Sequence, residues 1–230
     1  MRLAAATWNE AAAGGTLVLP IGACEQHGPH LPLGTDTVIV EELVARLERE
    51  RPAAWVAPSL TIGASGEHDG FPGTLSIGTR ALTSVLVETG RSADHFDGIF
   101  FVNWHGGNAE AINRAAGLLT AEGRKAGRWR AERVDLHPGL EGDLHAGRLE
   151  TSMMLAIDPA TARSGAAEAG AVIAGQEAMA GLRSNGVKGV SPNGVLGDPT
   201  GAGAGEGETI LAELAAQLID RFDEFEAGTG

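Results

Sequence analysis

The sequence predicts an α/β fold in which a mostly parallel sheet has helices on both faces. Two observations favour it: apolar strands alternate with amphipathic helices along the chain, and neither an internal repeat nor an interdomain linker interrupts this alternation. A length of 230 residues is enough for one substantial hydrophobic core and short for two domains. We therefore predict a single domain spanning residues 1–230.

The first half of the chain supplies two strands, two helices and one long loop. The first strand is apolar throughout, as expected for a strand covered on both faces, and Thr35-Asp36-Thr37 offers capping oxygens to the first helix. The loop is too rich in glycine for regular structure, and a loop of this length in a compact domain usually has a function. In chain order, we predict a strand at 16–21, a helix from 35 to Pro52, a short strand at 55–58, the loop at 59–73 and a helix at 79–96.

The second half begins with the clearest strand of the sequence, residues 98–103, which is apolar and entered through Asp97-Gly98. A more polar strand candidate follows and is expected nearer an edge of the sheet. In chain order, we predict the strand at 98–103, a helix after Asn108, a strand at 128–136, a loop at 135–144, a helix at 145–157, an Ala-rich helix at 166–182, a Gly/Pro loop at 184–207 and a closing amphipathic helix at 208–226.

Composition excludes several classes of partner. A net charge of −13 argues against nucleic acid and anionic membranes, because both require a basic surface. No apolar run is long enough to span a membrane, and Glu10 interrupts the N-terminal segment before a signal-like apolar region develops. The only cysteine, Cys24, excludes an intrachain disulfide and fits a reducing compartment. We expect a cytoplasmic protein.

Four potential metal ligands lie in the metal-site loop, residues 22–36, between the first strand and the first helix. Glu25 and His27 stand two apart, so in extended backbone both side chains leave the same face. Carboxylates interleaved with imidazoles suit divalent transition metals, which favours Glu25, His27 and Asp36 as ligands. We interpret His30 as a buttress of the loop. The alternative is a polar loop without an active site, in which Asp36 only caps the helix.

A second loop, the His105 loop of residues 103–108, follows the next buried strand and so reaches the same edge of the sheet. Gly106 and Gly107 allow close approach of the backbone and can present amide N–H groups to a developing anion, and Asn108 is positioned to cap the next helix. Taken alone, His105 reads as a strand-ending residue packed against Trp104. Beside the metal-site loop, it reads as a further ligand.

The segment starting at His145 adds a histidine and an acid. On a helix these two positions cannot share a face, so we place His145 at the helix start and Glu150 a turn inside. Apolar neighbours Leu149, Met153 and Met154 favour an inward Glu150, and a buried glutamate requires a cation. A surface glutamate is the alternative.

The remaining candidates are less specific. Glu67 and His68 either line the pocket or are exposed loop residues. His137 precedes a proline and is interpreted as structural or surface. Cys24 lacks a separate His–Asn signature for nucleophilic catalysis, so we interpret it as a small packed thiol.

Three of these motifs together resemble the creatininase (creatinine amidohydrolase) family: Glu25-Gln-His-Gly-Pro-His-Leu-Pro-Leu-Gly-Thr-Asp36, His105-Gly-Gly-Asn108 and His145-Ala-Gly-Arg-Leu-Glu-Thr-Ser152. Residues 64–78 are similar to the substrate-side loop of that family. The resemblance covers nearly the whole chain. It implies a three-layer α/β/α sandwich, a site for two divalent metal ions, hydrolysis of an amide bond and a closed homo-oligomer, a hexamer or octamer.

The resemblance also implies ligand roles. Glu25 and His105 hold one metal, His27 holds the other, and Asp36 bridges both. Creatininase itself has a glutamate two residues after the histidine of the His105 motif, whereas this chain has Gly107, which makes Glu150 the replacement ligand. In the implied reaction, a metal-activated hydroxide attacks the amide carbonyl, Gly106 or Gly107 N–H meets the oxyanion, and His145 protonates the leaving nitrogen.

Further segments resemble the branch of the family that serves the mycofactocin system, among them Gly63-Ala-Ser-Gly-Glu-His68 and Gly194-Val-Leu-Gly-Asp-Pro-Thr200. That branch implies cleavage of a modified ribosomal precursor peptide near its C-terminus, which releases a Val-Tyr-derived heterocycle on the way to a redox cofactor. It suggests Fe²⁺ and Zn²⁺, with Mn²⁺ also compatible. Two alternatives stay open: a small-molecule amidohydrolase, either a creatininase or a formylaminopyrimidine deformylase, and a non-catalytic family member.

Overall fold

The computed structural model describes residues 1–12, 14–131, 140, 142–172 and 176–228. Its described strands form one parallel sheet, in the order β2-β1-β3-β4. The central pair is in register from Thr16 opposite Gly98 to Ile21 opposite Asn103, so both strands end at the same edge. The strands are β1 (Thr16–Ile21), β2 (Trp55–Val56), β3 (Gly98–Asn103) and β4 (Ala126–Arg130).

The helices are α1 (Trp8–Ala11), α2 (Thr35–Glu50), α3 (Gly78–Ser92), α4 (Ala109–Ala121), α5 (Arg148–Ile157), α6 (Gln176–Val190) and α7 (Ala204–Ala227). Short 3₁₀ turns occur at Leu3–Ala5, Gly66–His68, Gly106–Asn108 and Ser164–Ala166. None of the helices in the described part of the chain is both long enough and apolar enough to cross a bilayer.

The sheet has a hydrophobic core on each face, because successive residues of a strand point to opposite sides. Val18 and Phe100 pack with α2, α5 and α7, whereas the adjacent Leu17 and Ile99 pack with α3 and α4. Three layers result, helices over sheet over helices. The predicted α/β fold with a mostly parallel sheet is therefore confirmed, as is the edge position of β4.

The predicted Ala-rich helix at 166–182 and the loop at 184–207 are wrong in part. Residues 167–172 have no regular structure, and α6 runs on to Val190 through a kink at Gly186. Backbone hydrogen bonds explain the first error: Gly170 N donates to Gly197 O at 2.9 Å, and Ala171 N donates to Val195 O at 3.1 Å. These tertiary hydrogen bonds replace the bonds of a local helix, even though alanine has a high helix propensity.

Several predicted element boundaries also differ from the structure. The loop at 59–73 contains the 3₁₀ turn Gly66–His68, the strand predicted at 128–136 starts at Ala126 and its pairing ends at Arg130, and the helix predicted from His145 starts at Arg148. The rest of that strand prediction, part of the 135–144 loop and His137 lie outside the described residues.

Helices α5 and α7 approach so closely that only glycine fits at the crossing. A Cβ on Gly207 would lie 1.9 Å from the carbonyl oxygen of Ser152. We expect Gly207→Ala to lower the free energy of unfolding by about 3 kcal/mol, because the backbones must move apart. Gly205 is a matched control on the same helix, since a Cβ there meets nothing within 4 Å, and Gly205→Ala should change stability by less than about 1 kcal/mol. Urea unfolding of both variants measures the difference, and equal stabilities would contradict it.

Candidate metal centre

The side chains predicted as metal ligands converge at the carboxyl ends of β1 and β3. The metal-site loop leaves β1 after Ile21, and the His105 loop leaves β3 after Asn103. Glu150 comes from the first turn of α5. The convergence follows from the parallel pairing, because adjacent parallel strands deliver their following loops to one edge of the sheet.

Asn108 occupies the N-cap position of α4, as predicted, but its side chain makes no capping hydrogen bond and instead holds these loops together. Its Nδ2 donates to Gly22 O and to Asn103 Oδ1, each at 3.0 Å, and its Oδ1 accepts the N–H of Ala64 at 2.9 Å. The loop of residues 59–73 is thereby held beside the other two. Gly22 must be glycine here, since a Cβ would lie 2.4 Å from Thr37 Oγ1.

Three sets of three ligand atoms meet in the described part of the site, and Asp36 joins two of them, the two ligand sets: Glu25, Asp36 and His105 form one, and His27, Asp36 and Glu150 form the other. The third set consists of Glu25, His27 and His145. The two oxygens of Asp36 face different sets. Oδ1 lies 3.4 Å from His27 Nε2, and Oδ2 lies 3.5 Å from His105 Nδ1. Within every set the ligand atoms are within 4.8 Å of one another. This is the arrangement that a bridging carboxylate requires.

Several of these atoms are buried without a hydrogen-bond partner. They are both carboxylate oxygens of Glu25, His27 Nε2 and Asp36 Oδ2. Buried polar atoms are rarely left unpaired, because each loses its hydration without compensation. A pair of divalent cations compensates this loss, and the carboxylate and imidazole donors are of the type that such ions accept. The residues present therefore fit the ions.

The two histidines of the two ligand sets are oriented as metal ligands. His27 Nδ1 lies 3.1 Å from the carbonyl oxygen of Glu25, and His105 Nε2 lies 3.2 Å from that of Ala64. A carbonyl only accepts, so each outer nitrogen carries the proton and each inner nitrogen keeps a lone pair for a cation.

The pKa values of these residues also indicate that the site favours bound positive charge. Burial and the neighbouring Asp36 raise the pKa of Glu25. Burial opposes a charged ring at His27 and His105, but the surrounding carboxylates outweigh it and raise the pKa of both to about 10. Burial by itself would raise the pKa of Asp36. The neighbouring His27 outweighs burial and holds the pKa of this carboxyl below its usual value.

Glu150 is held in place by two donors. Trp104 Nε1 donates to its Oε1 at 2.9 Å, and the backbone N–H of Ala146 donates to its Oε2 at 2.7 Å. Ala146 has a φ of 52°, which is rare for a residue with a side chain and costs conformational energy. Burial raises the pKa of Glu150. The inward placement predicted from its apolar neighbours agrees with this geometry, and Trp104 contacts Glu150 rather than serving only as packing for His105.

The other predicted site residues lie on a cavity beside the two ligand sets. Glu67, His68, Gly106, Gly107 and His145 all line it, together with Glu25 and His105. Its volume is about 480 Å³, and the rest of its wall consists of Arg130, Leu144, Leu182, Val187 and Leu196. The pKa of His68 is lowered to about 3 and that of His145 well below its usual value, in both cases first by burial, so both rings are neutral at pH 7.

Two remaining predictions concern residues away from the cavity. His30 is buried and lies with Nε2 2.8 Å from Thr151 Oγ1, which is a buttressing contact between the metal-site loop and α5. Cys24 is a free, half-buried thiol whose Sγ lies 3.7 Å from Gly73 O.

Sequence reasoning missed Gln26 and the cavity wall. Gln26, in the metal-site loop, is buried against two histidines, His68 and His145, but only its neighbours in the sequence were considered as site residues. A polar residue between two ligands was the available signal. The wall residues come from four separate segments, and nothing local in their sequence marks them.

Comparison with known proteins shows the family and the fold of this chain. A sequence profile of the creatininase family, described as creatinine amidohydrolase, matches residues 4–222. The mycofactocin precursor peptide peptidase of Mycolicibacterium smegmatis is 46% identical over 219 residues, which is 91% of this chain and 85% of that protein.

Two solved structures share the fold. A creatininase variant described as Zn-Zn type matches with a TM-score of 0.79 at 23% identity, over 97% of each chain. A structure described as creatininase Mn matches with a TM-score of 0.76 at 25% identity, again over 97% of each chain. Their descriptions name zinc and manganese, so divalent metals occur in proteins with this fold.

Proposed function

This chain belongs to the creatininase family, and on that premise we propose that it is a metal-dependent peptidase acting on the modified mycofactocin precursor peptide. It cleaves an amide bond near the C-terminus of the peptide and releases the Val-Tyr-derived heterocycle, which later becomes a redox cofactor. The observation that supports this substrate is the 46% identity to the M. smegmatis peptidase, spread over 91% of the chain.

Two divalent ions are the cofactors in this proposal. Glu25 and His105 hold one, His27 and Glu150 hold the other, and Asp36 serves both, in agreement with the two ligand sets. Iron and zinc are the proposed pair, with manganese as the further candidate, since carboxylate and imidazole donors accept all three.

When bound, the two ions lower the pKa of water and polarise the amide carbonyl. The chain supplies the remaining functions. His145 is neutral, and its Nδ1 lies 3.7 Å from Glu25 Oε1, close enough to the ligand sets to carry a proton to the leaving nitrogen. Gly106 and Gly107 line the cavity with backbone that can approach an oxyanion, and the apolar wall accommodates the heterocycle.

A substrate panel tests the proposal. Metal-reconstituted protein is incubated separately with the modified precursor peptide, the unmodified peptide, creatinine and formylaminopyrimidine, and products are followed by mass spectrometry. We expect a shortened peptide and the free heterocycle from the modified peptide alone. Turnover of creatinine or formylaminopyrimidine with an intact modified peptide would refute it.

A small-molecule amidohydrolase is the second candidate function, because the family profile is described as creatinine amidohydrolase. The same panel decides between the two. A non-catalytic role is the third reading, and the complete ligand sets, with buried unpaired atoms that a cation would satisfy, speak against it.

We also propose a homo-oligomer, a hexamer or octamer, in the cytoplasm. The oligomer rests on the family resemblance, and the location on the free Cys24. Native mass spectrometry measures the subunit number.

Glu150→Gln provides a prediction specific to the proposed ligands. The amide oxygen can still accept from Trp104 Nε1, but the variant lacks the negative charge that the second ion requires. We expect zinc content to fall from two ions to about one per chain, measured by elemental analysis after reconstitution. Glu110→Gln, at an exposed position on α4, is the control and should keep both ions. Retention of two ions by Glu150→Gln would contradict the assignment.

A further inference from the structure

Gln26 connects two histidines of the cavity, His68 and His145. Its Oε1 accepts the backbone N–H of Gly28 at 2.9 Å, and because a backbone N–H can only donate, this contact identifies which end of the amide is oxygen. The Nε2 of Gln26, with two hydrogens, then lies 2.9 Å from His68 Nδ1, 3.0 Å from Gly194 O and 3.0 Å from His145 Nε2.

The protonated nitrogen of His145 follows from a second contact. Its Nε2 lies 2.7 Å from the backbone carbonyl oxygen of Gln26, which can only accept. Nε2 therefore carries the ring proton and cannot accept from the Gln26 amide. Nδ1, on the side of Glu25, keeps the lone pair.

In His68 the protonated nitrogen is also Nε2, but in this ring Nε2 is the nitrogen on the side of Glu25. With His145 excluded as an acceptor, the two amide hydrogens of Gln26 go to Gly194 O and to His68 Nδ1. His68 Nδ1 must then have a lone pair, so the proton is on Nε2. That nitrogen lies 3.1 Å from Glu25 Oε1 without hydrogen-bond geometry, and the ring lines the cavity.

We propose that Gln26 is a positioning residue that holds both His68 and His145 in the Nε2–H tautomer. The two rings turn different nitrogens toward Glu25, so His68 offers its N–H as a donor to the substrate carbonyl and His145 offers the lone pair of Nδ1 to water. The side-chain amide of Gln26 fixes the proton of His68, and its backbone carbonyl fixes the proton of His145. The proposal deepens the proposed hydrolysis and rests on it for the identity of the substrate.

The order of proton transfers follows from these tautomers. As the water oxygen forms its bond to the amide carbon, one water proton moves to His145 Nδ1, and His68 Nε2–H donates a hydrogen bond to the carbonyl oxygen that becomes negative. The C–N bond then breaks as His145 passes the same proton to the leaving nitrogen. The products are a carboxylic acid and an amine, and His145 returns to its starting tautomer.

Nitrogen NMR of zinc-loaded protein tests the tautomers without any substrate. Histidine ring nitrogens with and without a proton have well-separated shifts, and single His→Gln variants assign them. We expect His68 protonated at Nε2 and His145 protonated at Nε2. A proton on His68 Nδ1 would overturn the proposal.

Gln26→Glu tests the role of the amide. The carboxylate can still accept from Gly28 but has no hydrogen for His68 Nδ1, so we expect that nitrogen to become protonated. Gln217→Glu, the same change on α7, is the matched control and should leave the His68 signals unchanged. An unchanged His68 Nδ1 in Gln26→Glu would count against the proposal.

Kinetics of two His68 variants test the donor, and together with the wild-type spectrum they decide the question even where Gln26→Glu does not fold. His68→Ala should lower kcat by ~10²-fold with zinc content unchanged, the usual effect of losing one oxyanion donor. His68→Gln retains an N–H and should recover at least ~10-fold of that loss. Equal rates for the two variants would overturn the donor role. If the tautomers are as stated but the modified peptide is not cleaved, the proposed function fails and the Gln26 network stands.

Discussion

Asp36→Asn is expected to remove both metal ions and to lower kcat/KM by more than ~10³-fold. The two oxygens of Asp36 face different ligand sets, with Oδ1 3.4 Å from His27 Nε2 and Oδ2 3.5 Å from His105 Nδ1. An amide keeps the shape but offers only one good acceptor and no charge, so neither set stays complete. Loss of several kcal/mol of transition-state stabilisation by the ions corresponds to at least this factor.

The measurement combines elemental analysis with thermal unfolding. Zinc should raise the Tm of the wild-type protein through selective binding to the folded state, and should leave the Tm of Asp36→Asn nearly unchanged. Asp220→Asn, at an exposed position on α7, controls for the chemical change. If Asp36→Asn retained one ion as Glu150→Gln is expected to do, Asp36 would belong to a single set and the bridging assignment would be wrong.

Much of this site is predictable from the sequence because its position follows from two simple features, the apolar strands and their parallel pairing. Buried β1 and β3 are recognisable from their apolar runs, and their parallel pairing brings the following loops to one edge. Glu25, His27 and His105 were therefore expected to lie close together, and the structure places their ligand atoms in sets within 4.8 Å.

The parts that sequence reasoning missed depend on tertiary contacts. The Ala-rich segment near Gly170 is not a helix, because it pairs with the backbone at Val195, where a Cβ on Gly170 would lie only 1.9 Å from the carbonyl oxygen. Asn108 has the sequence position of a cap, yet its side chain bonds to Gly22 and Ala64 in two other loops and to Asn103 in its own. Gln26 can be recognised as a site residue only from its contacts with His68 and His145, which are remote in the sequence.

Gly107→Ala is expected to lower kcat/KM by at least ~10²-fold, whereas the adjacent Gly106→Ala should change it by less than ~3-fold. A Cβ on Gly107 would lie 2.3 Å from Ala64 O and 2.5 Å from His105 Nε2, so the ligand histidine has to move. A Cβ on Gly106 meets nothing within 4 Å. Both variants keep their backbone N–H, so the comparison separates lack of space from loss of an oxyanion donor. Equal activities in steady-state assays would refute the steric argument.

The same geometry supports Glu150 as the proposed ligand that completes the second set. The family resemblance places a glutamate of creatininase at the position of Gly107, but here the Ala64 carbonyl and the Glu67 carboxylate, at 2.3 Å each from a Cβ, occupy its space. We expect the double variant Gly107→Glu with Glu150→Gln to bind fewer than two zinc ions, because the loop of residues 59–73 blocks the new side chain. Recovery of two ions would show that this loop can move aside. In that case the choice between the two ligand positions would depend on loop flexibility rather than on packing.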